Sequence, residues 1–491
     1  MGSLLLSIDV GTSGVRVALF DERGHEVPGA QVRSSRVMDS VSDFTELDAY
    51  LIAAEVIRDI DELLALNLHT DGRIEFIAIS AFWHSLVGAR AVPLTATRLL
   101  TWADTRAAPY IPELRAQFNE LDIHARTGCR FHASYWPAKL LWLRREQKKQ
   151  FNRTHCWLGF AEYLCSLLTS ETAISISMAS ATGLFHQRSC DWDWEFIDAL
   201  DIPRNKLPEI KPQIDLPLSA ASAKRWPALA EARIVTVVGD GAANNIGAGC
   251  STKDRIALMV GTSGAMRVVF RGEPPAELSP ALWSYRVDRD RVVVGGALSD
   301  GGGLLQWLTE SLNVGNDRDA LQKEIAALEP DAHGLTVLPF WSGERSTGWS
   351  TLAHGGILGL SQKTTPVEIV RATLESIAYR FALIARALDQ VAPGATIVAS
   401  GNALRSSPAW LQIIADVLGR PLVFGGTAEA SIRGAALLAL EAVGKIGNIE
   451  EDQFAVDQVF EPDMTRHARY QQGLARQEEL YERLFAADER R

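Results

Sequence analysis

The pentapeptide Val10-Gly11-Thr12-Ser13-Gly14 recurs letter for letter as Val260-Gly261-Thr262-Ser263-Gly264, about half a chain later in a sequence of 491 residues. Each copy follows an apolar run, Leu4-Leu5-Leu6 with Ile8 in one case and Ile256-Ala257-Leu258-Met259 in the other. Each precedes a second apolar run that ends in Phe20 or Phe270. The pattern predicts strand, tight glycine turn, strand in both places. A turn rich in backbone N–H and hydroxyl donors is an anion cradle, so two of them point to two similar domains gripping one polyphosphate. The copies differ at one informative position: Asp9 precedes the first turn, whereas Met259 precedes the second. One loop can serve phosphate and metal, the other phosphate only.

The length admits two to four domains at roughly 100–200 residues each. The repeat places the division near Gly249–Asp254, giving an N-terminal domain over 1–252 and a C-terminal domain over 253–491. A formal net charge of −11 and the lack of a Lys/Arg-rich run argue against a nucleic-acid partner. Five scattered cysteines without a C-x-x-C suit a reducing compartment. The chain enters a strand without a basic leader, and no apolar run reaches membrane-span length. The expectation is a soluble cytoplasmic protein with no membrane partner; self-association as a homodimer stays open.

Apolar periodicity predicts helices from about Leu47 to Leu66 and over Asp104–Leu121, Pro137–Lys149 and Glu162–Leu168. After a proline-rich passage, Arg233–Gly239 reads as a strand. In the second half, strands are expected over 256–270, 291–296, Leu335–Pro339 and Ala395–Ser400. Helices are expected over Gly303–Leu312, Pro366–Val391, Ser407–Leu418, Ser431–Val443 and His467–Phe485. Alternating strands and helices describe an α/β chain.

Five segments could carry chemistry. Asp9-x-Gly11-Thr12-Ser13 is either a self-satisfied β-turn or a phosphate loop with Asp9 near a divalent cation, since Mg²⁺ in nucleotide sites takes one or two carboxylates. Arg16, on the departing strand, either reaches phosphate or lies on the surface. Asp240, between Gly239 and Gly241 at the end of an apolar strand, is either a helix N-cap or the base that takes a proton from an attacking hydroxyl. Gly301-Gly302-Gly303, opening a helix that carries Gln306, and Ser400-Gly401-Asn402, between a strand and a helix, either allow tight packing or bring backbone up to a ligand. Trp83-His84 follows a buried strand and could meet a sugar, ring against C–H groups and imidazole against a hydroxyl. Arg106 is the one nearby cation that could face a substrate carboxylate, or else it pairs with Asp104. Gly343-Glu344-Arg345 reads as an interdomain ion pair. No P-loop, dinucleotide fingerprint or zinc-ligand spacing is present.

With these residues in place, the chain resembles the FGGY family of carbohydrate kinases, within the actin-like ATPase superfamily. The resemblance runs from about Leu4 to Phe485 and rests on the paired loops, Gly239-Asp240-Gly241, Gly302-x-x-x-Gln306-Trp307-Leu308, and Ala399–Gly434. It implies two ribonuclease-H-like domains with an active-site cleft between them, ATP against the second and a sugar against the first. It also implies Asp240 as general base and Asp9 as the Mg²⁺-associated carboxylate. Thr12, Ser13, Arg16, Gly261 and Thr262 would meet phosphates. Gly302 and Gln306 would border the nucleotide, with Gly401, Asn402 and Ser406 against adenosine and Trp83 and His84 against the sugar. Trp102-Ala103-Asp104-x-Arg106, His84-Ser85-Leu86 and Gly343-Glu344-Arg345 resemble the gluconate kinases most. Trp83, Ser175, His186 and Asn402 depart from the common family pattern. The alternatives are a xylulose, other pentulose or polyol kinase and, in another class, an actin- or chaperone-like ATPase switch or a silent sugar sensor.

Overall fold

The structure, a computed structural model, describes residues 2–36, 46–66, 72–315, 317–425, 429–451 and 456–486. Both glycine-loop segments are β-hairpins. β1 (Ser3–Gly11) pairs antiparallel with β2 (Gly14–Asp21), with Gly11 opposite Gly14 across the Thr12-Ser13 turn. β3 (Glu26–Ser35), β4 (Arg73–Ala81), β5 (Leu216–Pro217) and β6 (Arg233–Gly239) complete a sheet of order β5-β6-β4-β1-β2-β3. The second sheet holds β7 (Arg255–Val260), β8 (Gly264–Arg271), β9 (Trp283–Arg286), β10 (Arg291–Leu298), β11 (Thr396–Ser400), β12 (Leu422–Gly425) and β13 (Val456–Phe460). Its order is β9-β10-β8-β7-β11-β12-β13. In each sheet the first hairpin strand has antiparallel neighbours on one side and parallel ones on the other. This is the expected pair of ribonuclease-H-like units.

The central strands are near-continuous apolar runs because helices cover both faces; Leu4 to Val10 are buried throughout β1. The helix Ala49–Ala65 starts at Asp48, whose carboxylate accepts from Tyr50 and Leu51 N–H, and it buries Ile52, Val56, Ile60 and Leu63 at helical spacing. The long helix Pro366–Leu388 opens with a capping box between Thr365 and Glu368 and with proline in its first turn.

Two expected helices are broken. Asp104–Leu121 is a 3₁₀ turn at Ala108–Tyr110 followed by Ile111–Gln117, and Asn119 then caps a new helix, Glu120–Thr127. Pro137–Lys149 divides into Trp136–Glu146 and Lys148–Arg153. The strands β3, β9 and β13 were not legible from apolar patterning.

The two halves interlock. Helix Ala430–Ala442 packs on the first sheet, with Ile432, Ala435, Ala436, Leu437 and Leu440 in the same core as β1, β4 and β6. Ser7 Oγ donates to Ile432 O at 2.8 Å. This helix crosses Asp240–Gly247 at a pair of glycines. A Cβ on Gly247 would lie 1.8 Å from Ala430 O, and one on Gly434 would lie 1.8 Å from Ala243 O.

Candidate active site

Strand register gathers the acidic residues. Asp9 of β1 stands opposite Ser80 of β4, and Ser80 stands opposite Val238 of β6. Asp9, Ser80 and Asp240 therefore emerge at the carboxyl ends of three adjacent parallel strands, where ligands of open α/β sheets lie.

Asp9 is buried, accepting 2.8 Å from Ser80 Oγ and 2.9 Å from Arg16 Nη1. Burial raises its pKa, and Arg16 with Ser80 pulls it back. Arg16 also pairs with Glu429 at 2.6 Å, so its guanidinium is held between two carboxylates. Arg36 braces the first turn from behind, its backbone N–H donating to Ser13 O at 2.8 Å and its Nη1 to Gly11 O at 2.8 Å and Thr12 O at 3.0 Å. The carbonyls are thereby satisfied, and the hydroxyls of Thr12 and Ser13 have no protein partner among the described residues.

The second loop meets the triple glycine. Gly301 and Gly303 N–H each donate to Thr262 O at 3.0 Å, and Gly302 N–H donates to Gly261 O at 2.8 Å. A Cβ on Gly302 would fall 2.4 Å from the Ala403 methyl, and Gly401 has φ +107 with Val260 O 2.3 Å from where its Cβ would be. The backbone at Gly302 and Gly401 thus packs against the second loop and its neighbours too closely for a side chain at either position. Gln306 and Ser406 lie exposed nearby in sequence and are occupied locally, with Glu310 at 2.8 Å and Ala403 O at 3.2 Å.

Asp240 is the first residue of helix Asp240–Gly247, and Gly239 holds the N-cap position. Its Oδ1 accepts from Gly241 N–H at 2.8 Å. Burial raises its pKa to about 6, with Arg267 opposing the rise and Asp9 adding to it. Trp83 lies directly under this backbone: a Cβ on Gly239 would be 1.8 Å from its indole. The ring is 5% exposed, its N–H goes to Ser177 O at 3.2 Å, and its edges meet Trp283 and Tyr285. Trp83 therefore supports the Asp240 turn and has little free face for a sugar.

His84 sits beside it with φ 64, a left-handed conformation unusual for a side-chain-bearing residue. Two bonds hold it there. Nδ1 donates to Ala181 O at 2.8 Å, and its carbonyl accepts from Lys139 Nζ at 2.7 Å. Burial and the Arg345 charge push its pKa well down, so the ring is neutral and Nε2 is an acceptor. Lys139 donates further to Thr101 O at 2.7 Å and Ser134 O at 2.8 Å. Burial lowers its pKa to about 7, while three carbonyls match the three N–H donors of the ammonium form.

The structure decides between the alternatives for Arg106 and corrects the expected pairing of Arg345. Arg106 does not face a ligand: it pairs with Asp104, donates to Glu46 at 2.8 Å, and lies over the Trp142 ring at 4.7 Å. Glu344 and Arg345 do not form an interdomain pair. Glu344 is buried against Arg380, Tyr481 and the N–H groups of Gly348 and Ser350. Arg345 turns the other way, its guanidinium 5.3 Å from the centroid of Trp102 in the first half.

Arg267 on β8 escaped notice. It is 9% exposed, its Nε and Nη1 have no hydrogen-bond partner, and burial lowers its pKa to about 10 against the pull of Asp240. A charge inside the apolar run Ala265–Phe270 was the available signal. Of the other departures, Ser175 caps the short helix Ile176–Ser180, and His186 accepts from Ser189 N–H in a small hairpin. A separate cluster of Asp331, His333 and Glu375 has ligand atoms within 4.8 Å of one another, but Arg476 and Arg371 already pair with its carboxylates.

The halves meet around this site. Tyr135 and Tyr285 hydroxyls are 2.6 Å apart, His132 Nε2 donates to Glu344 O at 3.1 Å, and Ser284 N–H donates to Gly128 O at 3.0 Å. No helix among the described residues is long and apolar enough to cross a membrane.

Family models for the N-terminal and C-terminal domains of the FGGY family of carbohydrate kinases match residues 4–247 and 256–443. A gluconokinase of Bacillus subtilis (strain 168) is 28% identical over 464 residues, covering 92% of this chain and 90% of its own. The crystal structure of gluconate kinase from Lactobacillus acidophilus superposes with a TM-score of 0.88 at 27% identity, covering 99% of this chain and 98% of that one. A ligand-bound xylulose kinase from the same organism gives a TM-score of 0.88 at 27% identity, with 98% of both chains covered.

Proposed function

This chain belongs to the FGGY family of carbohydrate kinases, and on that premise we propose that it transfers the γ-phosphoryl group of ATP to a hydroxyl of gluconate. The family are phosphotransferases with ATP as co-substrate; the choice of gluconate and the residue roles are the proposal. The observation that carries it is the charge around Asp240: an ionisable carboxylate at a strand end, faced by two guanidiniums, Arg267 and Arg345, that have no carboxylate within salt-bridge distance among the described residues. Such a pocket takes an anionic sugar in preference to a neutral one.

Asp240 accepts the proton as the acceptor oxygen attacks phosphorus, and Arg267 favours its ionised form. Thr12 and Ser13 on one half and Thr262 on the other offer hydroxyl donors to the triphosphate, and Gly261 and Gly302, whose N–H groups are bonded within the loops, let it approach the backbone closely. Gly401, Asn402, Gln306 and Ser406 lie on the nucleotide side. Trp83 holds the Asp240 turn, and His84 Nε2 accepts from a sugar hydroxyl. Arg16 serves the phosphate loop indirectly, by fixing Asp9 and tying it to Glu429. Asp9 Oδ1 and Oδ2 each accept one hydrogen bond already, which suits the water shell of a Mg²⁺ arriving with ATP and leaves less room for direct ligation. Such an ion supplies charge neutralisation of the phosphates. Catalysis is then mainly positioning and charge stabilisation. The functional units of this reading are the sequence halves 1–252 and 253–491.

A coupled ADP-release assay over gluconate, xylulose, glycerol and other sugars tests it, and gluconate should be the best acceptor. Xylulose is the second reading, favoured by the equally similar xylulose kinase structure. A pentulose turned over faster than gluconate would overturn the substrate while leaving the kinase; no ADP release with any acceptor would overturn both.

A further inference from the structure

We propose that Arg345 is the carboxylate receptor of this active site, contributed to the sugar pocket by the opposite half of the chain. The proposal rests on the sugar-acid reading above and names the side chain that enforces it.

The pocket around His84 has few cations to choose from. Arg106 is spent on Asp104 and Glu46. Lys139 has all three N–H donors on carbonyls. Arg115 and Arg130 both pair with Glu120. Arg267 belongs to the base, since Asp240 is the main charge acting on it. Arg345 remains. Its Nε is buried without a hydrogen-bond partner, and no salt bridge engages it among the described residues.

Arg345 as a whole is half-buried, but a buried N–H with no acceptor is costly unless something fills it. The guanidinium carbon lies over the Trp102 ring, 5.3 Å from its centroid, and the unpartnered Nε leaves an N–H for a planar acceptor. Two parallel N–H···O bonds to a carboxylate are the natural match. Behind it, His132 holds the Glu344 carbonyl at 3.1 Å and Glu344 itself is locked to Arg380, so the peptide carrying Arg345 is fixed from both sides. The same peptide joins the halves at the ring contacts of His132 and Tyr135 with Trp349. The sugar hydroxyls and the carboxylate are thus read by different halves.

The test is calorimetric binding without ATP, comparing gluconate with glucitol, which carries CH₂OH in place of the carboxylate. Wild type should bind gluconate tighter than glucitol by roughly ten- to a hundredfold, the range of a hydrogen-bonded charge. Arg345→Gln should erase that preference, weakening gluconate by the same factor and glucitol by less than about twofold, and Arg345→Lys should restore part of it. The ligand-free Tm of Arg345→Gln should equal or exceed that of wild type, because a half-buried charge without a counter-ion is removed. Equal weakening of both ligands, or a preference that survives in Arg345→Gln, would overturn the assignment. ADP release with xylulose but no preference for gluconate in wild type would overturn it too, leaving the kinase intact. An Arg345-dependent preference without ADP release on any acceptor would uphold the receptor and sink the kinase reading instead.

Discussion

Asp240 and Arg267 face one another as opposite charges that are coupled but not paired. Each is the largest charge acting on the other, yet no oxygen–nitrogen pair between them comes within 4.0 Å. A direct salt bridge would bury the base under its own counter-ion. The gap leaves Asp240 basic and reachable, which a proton acceptor requires.

Asp240→Asn should lower kcat by roughly 10²–10⁴-fold, the scale of a lost general base, with the fold and ATP binding kept. Stability should move the other way. The folded pKa of Asp240, about 6, lies above its ordinary value, so the fold prefers the protonated acid and loses stability as pH rises through 6. The neutral Asn variant escapes this loss. Calorimetric unfolding should show it more stable than wild type at pH 8, with the difference shrinking on acidification below 6. A variant retaining more than about a tenth of wild-type kcat would refute the base assignment.

In wild type, kcat/KM for the acceptor should fall as pH drops below about 6, because the base must be ionised. Arg267 is the main influence depressing that pKa, so Arg267→Gln should move the acidic limb to higher pH. A pH–rate profile for both enzymes checks this. A limb that stays in place would mean that Arg267 acts on the phosphates and leaves the base alone.

Lys139→Met should destabilise the protein by about 3 kcal/mol or more, since three buried carbonyls lose their donor and each unsatisfied group costs about 1–3 kcal/mol. One of those carbonyls belongs to His84, which the proposed function sets against the sugar. In whatever fraction folds, the KM for sugar should rise more than that for ATP. Urea unfolding and steady-state kinetics report both effects; an unchanged denaturation midpoint would show that water replaces the ammonium.

Thr262→Val should raise the KM for ATP and leave that for sugar nearly unchanged. The hydroxyl is exposed on the second loop, and losing a bond to a charged phosphate costs about 1.5–3 kcal/mol. An effect confined to the sugar constant would reassign that loop.

Much of this site was legible before the fold. The hairpins announce themselves because a glycine turn between apolar runs has few other solutions, and Asp240 stands out as a carboxylate ending a buried strand. Arg267 was missed although it left a signal, a charge set among the apolar residues Ala265–Phe270 of β8. Lys139 was not: its acceptors are backbone carbonyls of residues 84, 101 and 134, and carbonyls leave no trace in side-chain identity. Glu344-Arg345 misled for a related reason. Adjacent opposite charges suggest a shared ion pair, but the backbone sends one to Arg380 and the other to Trp102. Arg106 shows the converse, where the local Asp-x-Arg pairing prevailed.

The helix that begins at Ala430 belongs in sequence to the second repeat and in packing to the first. An N-terminal fragment cut at the repeat boundary would therefore carry an uncovered sheet face, and its counterpart an orphaned apolar helix. The two halves are alike in topology but not separable as products. Expressed alone, each piece should aggregate; expressed together, the two should reassemble by complementation, with the crossing at Gly247 and Gly434 as the seam.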